Sequence, residues 1–138
     1  MTTDPWEPDA APEPKKPRRW RDKFNEAFRG VKKGMRGQSS FAVHIFFAVL
    51  AVVLAAVLDC DHVEWCLVVG CIGFVFAAEL VNSALETLFR GLERDARDRV
   101  YHCLDIAAGA VLIAGLTAAT VGAIVFGRKL LLLFHVIS

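Results

Sequence analysis

Long apolar runs, broken at a few polar positions, dominate the pattern along this chain. Phe41–Leu58 and Ile106–Phe126 contain no Asp, Glu, Lys or Arg, and the run opening at Val63 meets only Glu64 before Glu79. A helix that crosses a bilayer needs about 17–25 apolar residues. The pattern therefore predicts spanning helices over roughly 41–58, 63–89 and 105–126, the middle one using a polar extension to Phe89. Ahead of them, Phe24, Ala27, Phe28, Val31 and Met35 fall at helical spacing, with Lys23, Arg29, Lys32, Lys33 and Arg36 mostly on the other side. That periodicity predicts an amphipathic helix over about 22–36, suited to lie in a membrane interface. Residues 1–20 hold all five prolines and little apolar content, and are expected to form a disordered tail before one membrane domain over 21–138. The fold class is an all-α membrane protein: one surface helix and three transmembrane helices.

Composition agrees with the pattern. Of 138 residues 55% are hydrophobic, too many for a soluble core of this size to hide. The net charge of +1 conceals an asymmetry. Ten Lys or Arg and two acids lie between Lys15 and Arg36, whereas Asp59–Glu64 carries three acids and no Lys or Arg. Four Arg and four acids share the segment from Arg90 to Asp105. Basic residues beside spans favour the cytoplasmic side. This places the N-terminus and the second loop inside, and Asp59–Glu64 with the C-terminus outside; only Arg128 and Lys129 run against it. With three apolar runs following, the basic segment reads as a lipid-surface anchor and not as a nucleic-acid site. Cys60, Cys66, Cys71 and Cys103 have no metal-binding spacing and receive no catalytic role. Gly30, Gly34 and Gly37 lack the Gly-Lys-Ser/Thr ending of a phosphate loop. Small residues recur every four positions at Ala110, Ala114, Ala118 and Gly122, which permits close helix packing within or between protomers.

The chemistry concentrates in Glu79-Leu-Val-Asn82-Ser-Ala-Leu-Glu86. At about 100° per residue, Asn82 and Glu86 fall within roughly 60° of Glu79, so the three form one stripe. Ionisable groups in a span are costly and normally face a bundle interior or polar cavity. Asn82 alone could serve as interhelical glue, and Glu86 alone could be interfacial. Asp105 opens the third span, either as an ordinary helix-start carboxylate or as part of a site. His44 and His102 are each lone and are assigned to structure. Together, one carboxylate able to take a hydroxyl proton and another at the water boundary able to hold Mg²⁺ suit phosphoryl transfer from a nucleotide to a lipid alcohol. A small proton-coupled transporter using Glu79 is the alternative in which ATP plays no part.

Glu79-Leu-Val-Asn82-Ser-Ala-Leu-Glu86, with Asp105-Ile-Ala-Ala-Gly-Ala-Val-Leu nineteen residues on, resembles the prokaryotic diacylglycerol kinase/undecaprenol kinase family. Phe24-Asn-Glu-Ala-Phe28-Arg-Gly30 and Ser40-Phe41-Ala-Val-His44 resemble that family's surface helix and first span, and the likeness runs from about residue 23 to 126. The resemblance implies a homotrimer in the bacterial cytoplasmic membrane, with sites shared between protomers. It implies ATP as phosphoryl donor, Mg²⁺ as cofactor, and diacylglycerol or undecaprenol as acceptor. Glu79 would be the general base, Asn82 a positioning group, Glu86 a metal ligand and Asp105 a site-organising carboxylate. Three positions depart from the pattern. Gln38 stands where a metal-holding Glu is usual, Leu104 where a phosphate-binding Lys is usual, and Arg90 where Asp is common. Arg90, or Arg97 and Arg99 in the loop, is the expected replacement for the missing cation at the phosphates. The other outcome of these departures is a catalytically impaired relative that serves in membrane assembly or lipid binding.

Overall fold

The computed structural model describes residues 19–35 and 39–134, and among these the chain is wholly helical. Five helices follow one another: α1 Trp20–Gly34, α2 Ser39–Val57, α3 His62–Gly91, α4 Arg94–Val100 and α5 His102–Leu133. The tail expected over 1–20 lies outside the described residues up to position 18. Arg19 and Trp20 instead begin α1, with Arg19 as its N-cap. Asp22 sits in the first turn of that helix and Lys32 and Lys33 in its last, which suits the helix dipole at both ends. None of its residues is buried. Trp20, Phe24, Phe28, Val31 and Met35 are exposed, a stripe of apolar side chains on a cationic helix. Gly34 brings α1 against α3, since a Cβ there would stand 2.7 Å from a methyl of Leu80.

Two helices, α3 and α5, are long and apolar enough to cross a membrane. In α2 the apolar stretch, Phe41–Val57, is shorter by that measure. α3 packs mainly on α5 and less on α2. Its packed face carries Glu64, Val68, Val75, Glu79, Asn82 and Ser83, successive residues three, four or seven apart except for the adjacent Asn82 and Ser83, as a helix facing neighbours requires. On α5 the small residue Ala114 is fully buried, where α3 and α5 pack. Phe46, Phe47, Leu112, Ile113 and Ile124 are more than half exposed, so the bundle's outer surface is apolar.

The α2–α3 link is short and tightly bonded. The amide of Cys60 donates to the Ala55 carbonyl at 3.0 Å and that of Asp59 to Ala56 at 3.4 Å, with Asp59 at a φ of 50°. This is a Schellman closure with Asp in the left-handed position usually given to Gly. Asp61 then caps α3, its Oδ1 accepting from the amides of Val63 (2.8 Å) and Glu64 (2.9 Å). Glu64 returns the favour, accepting from the Asp61 amide at 2.8 Å, which completes a capping box. Glu64 therefore belongs to α3 and is buried, although its acidity reads as loop from sequence alone.

Arg128 and Lys129, the two cations that run against the expected orientation, end up beside these acids. Lys129 Nζ lies 3.0 Å from Glu64 Oε2 and donates to the Asp59 carbonyl at 2.8 Å, while Arg128 Nη1 is 3.9 Å from Glu64 Oε1. The amides of Glu64 and Val63 hold the Asp61 carboxyl below its ordinary value of 3.8, with Lys129 and Arg128 adding to the effect. Burial, followed by the charge of Glu64, pushes the neighbouring Cys60 thiol up. A carboxyl with a depressed folded-state pKa stabilises the fold above its ordinary pKa, and that stability is lost as pH falls through the depressed value. Asp61→Ala should thus lower the melting temperature in detergent by about 2–4 °C at neutral pH. The gap between variant and parent should narrow as pH falls below the ordinary carboxyl value of 3.8, measured by intrinsic-fluorescence melting.

Candidate functional site

At the other end of the bundle, α3 carries the polar stripe onto its packed face. Glu79 is 1% exposed and Asn82 9%, so both are inside the bundle; Glu86 is about one-third exposed at its edge. Val75, one turn earlier on this face, is also buried and keeps the approach to Glu79 apolar. Asn82 Nδ2 donates to Glu86 Oε1 at 3.1 Å, which fixes that carboxylate one turn further along. Arg90 Nη2 lies 3.7 Å from the other oxygen, Oε2, as the four-residue spacing anticipates. Two-thirds exposed, the Arg90 side chain also reaches water. The stripe thus grades from a buried carboxylate, through an amide, to a carboxylate and a guanidinium at the surface.

Other predicted residues fall nearby but do not join the stripe. Arg97 belongs to α4, a helix absent from the sequence reading. Its Nε donates to the Leu92 carbonyl at 2.9 Å and its Nη2 to that of Arg90 at 2.5 Å. The guanidinium therefore caps the C-terminal carbonyls of α3, where a cation is favoured, and stands 5.9 Å from the Phe89 ring. Asp105 is exposed in the first turn of α5, at the same end of the bundle as Glu86, and Leu104 precedes it half-buried. Gln38 lies outside the described residues.

One residue assigned to structure from sequence lies against the buried acid. His44 Nε2, from α2, is 3.9 Å from Glu79 Oε2. His44 also lines an apolar groove of about 470 Å³ between α2, α3 and α5, whose walls include Phe47, Leu54, Ile72, Gly115 and Gly122. A histidine in an otherwise apolar span was a visible signal. What the sequence could not supply was the register that sets α2 against α3.

A magnesium ion bound with a nucleotide takes one or two carboxylates and completes its shell with phosphate oxygens and water. Among the described residues no three His, Cys, Asp or Glu side chains converge, so they form no all-protein cage. Glu86, partly exposed and oriented by Asn82, fits the smaller role of a single carboxylate ligand.

The family model of prokaryotic diacylglycerol kinase matches residues 25–126, a span holding every member of the stripe. The chain is similar to the undecaprenol kinase of Bacillus subtilis (strain 168), at 26% identity over 107 residues, or 78% of this chain and 87% of that protein. No solved structure matches it.

Proposed function

The chain belongs to the prokaryotic diacylglycerol kinase family, and we propose that it is an ATP-dependent lipid kinase that phosphorylates a membrane alcohol, diacylglycerol or undecaprenol. The observation that carries this reading is the single α3 stripe on which a buried Glu79 is followed by Asn82, Glu86 and Arg90 toward the surface. A carboxylate kept from water, beside an apolar groove, suits removal of a proton from a lipid hydroxyl. A carboxylate and a guanidinium at the bundle end suit the charged end of a nucleotide.

In this mechanism the Glu79 carboxylate drives proton removal from the lipid hydroxyl, and Asn82 holds Glu86 in place. Glu86, with Gln38, would hold Mg²⁺ brought in with ATP, and Asp105 organises the bundle end. When bound, the ion neutralises charge on the phosphates being transferred. Arg90 takes over the phosphate contact that the usual lysine would make at position 104. Arg97, whose Nε and Nη2 already bond to carbonyls of α3, has less to offer a nucleotide than Arg90, whose guanidinium is mostly in water. The active unit is a homotrimer in the bacterial cytoplasmic membrane, three spans per protomer with the N-terminus inside; another copy covers part of the apolar surface. Arg90→Ala should raise the KM for ATP about tenfold and leave the KM for lipid unchanged. Unchanged ATP kinetics would remove Arg90 from the phosphate site.

The test of the whole reading is purified protein in lipid with Mg-ATP, offered diacylglycerol, undecaprenol and other lipid alcohols. Transfer of labelled phosphate to one of them, absent in Glu79→Gln, is the expected result. No product above that control would sink the kinase reading. Retained trimer assembly and lipid binding would then favour the second reading, an impaired relative, which the Leu104 and Gln38 departures motivate.

A further inference from the structure

Glu79 is buried to 1% exposure, whereas the hydroxyl it has to deprotonate must come from the lipid phase. His44 bridges this separation. Its Nε2 faces Glu79 Oε2 at 3.9 Å, its side chain is 22% exposed, and it forms part of the wall of the apolar groove. On the kinase reading above, we propose that His44 is the group that meets the acceptor hydroxyl, with Glu79 acting through it.

The chemistry follows from the two imidazole nitrogens. A neutral imidazole has one N–H donor and one acceptor nitrogen. With Nε2–H directed to Glu79, Nδ1 is left as the acceptor, as in other carboxylate–histidine pairs that activate a hydroxyl. The hydroxyl proton moves to Nδ1 while its oxygen forms the new bond to the γ-phosphorus. The bond from that phosphorus to the β–γ bridging oxygen breaks, and ADP leaves with the electron pair. Glu79 stabilises the resulting imidazolium, which gives its proton to water once the products leave. A gap of 3.9 Å is one small rotation longer than a hydrogen bond, and catalytic contacts commonly tighten only when substrate is bound. The groups facing His44 are few. α3 places Glu79 at 3.9 Å and lends Cys71 to the same groove, and the α5 residues that line that groove, such as Gly115 and Ala118, are uncharged.

The experiment compares wild type, His44→Gln, His44→Ala and Glu79→Gln in lipid, measuring kcat and both KM values from pH 5 to 9. His44→Gln should lose about 10²-fold in kcat with both KM values within about threefold of wild type. Its kcat should also vary less across that pH range than the kcat of wild type. Added imidazole should restore part of the turnover of His44→Ala, because the truncated side chain leaves room beside Glu79. A packing role for His44 would give neither the flattened profile nor the rescue, and that result overturns the proposal. If Glu79→Gln is silent while His44→Gln turns over within about threefold of wild type, the kinase reading stands and the role of His44 falls. If wild type itself makes no phosphorylated lipid, the kinase reading fails and this inference fails with it.

Discussion

Glu79→Gln is expected to reduce lipid phosphorylation by about 10²–10⁴-fold while leaving ATP binding and assembly in detergent intact. The substitution keeps the size and one carbonyl oxygen of a side chain that is almost fully enclosed, so packing around it changes little. What it removes is the negative charge and, with it, the ability to draw a proton from a hydroxyl. Because shape and one acceptor oxygen are kept, the melting temperature should stay close to that of the parent. The pairing of an unchanged melting temperature with lost turnover is diagnostic, because a purely structural Glu79 would show itself in the melting temperature. Phosphate transfer to lipid and a melting curve on the same preparation would read both. Activity within tenfold of the parent would remove Glu79 from the proton-removal step.

The second large effect is expected at Glu86. Glu86→Gln should lower turnover by about 10²-fold at millimolar Mg²⁺, with part of the loss recovered as Mg²⁺ is raised. Glutamine keeps the acceptor oxygen that Asn82 reaches at 3.1 Å, so the stripe should stay in place. It removes the charge that Arg90 faces at 3.7 Å, but Arg90 is mostly in water and loses little by that. Because the fold is spared, the Mg²⁺ titration isolates the ligand role. Loss that no amount of Mg²⁺ reverses would assign Glu86 to orienting Arg90 instead. The effect should be smaller than at Glu79, because phosphate oxygens can supply much of the ion's shell.

Much of this was legible before any coordinates. The apolar runs predict α2, α3 and α5 because lipid-facing helices tolerate few charges, and helical periodicity alone aligns Glu79, Asn82 and Glu86. Arg90 meets Glu86 because a four-residue spacing leaves little choice. The losses have equally physical causes. α4, Arg-Asp-Ala-Arg-Asp-Arg-Val, has no apolar stripe to announce it and is tied to α3 by bonds from one Arg97 side chain. α5 runs on to Leu133, past the expected end at Phe126, because Glu64 on another helix accommodates Arg128 and Lys129. Asp61-His-Val-Glu64 has the spacing of a capping box, a signal that counting acids as loop charge hides. His44 meeting Glu79 depends on how two helices are set against each other, which no local pattern encodes.

The Glu64–Lys129 contact also bears on how the chain is made. In the orientation proposed above, with the basic N-terminus inside, the end of α5 has to be carried across the bilayer late in synthesis, and its two cations resist that transfer. In that orientation Glu64 and Asp59 are by then on the far side, where they can receive Arg128 and Lys129. The proposed orientation thus predicts an order of insertion, with the helix pair joined at Asp61 threaded first and the last segment drawn to it. Glu64→Lys should therefore show itself during insertion, as C-termini stranded on the cytoplasmic side, before it shows in any property of the finished protein.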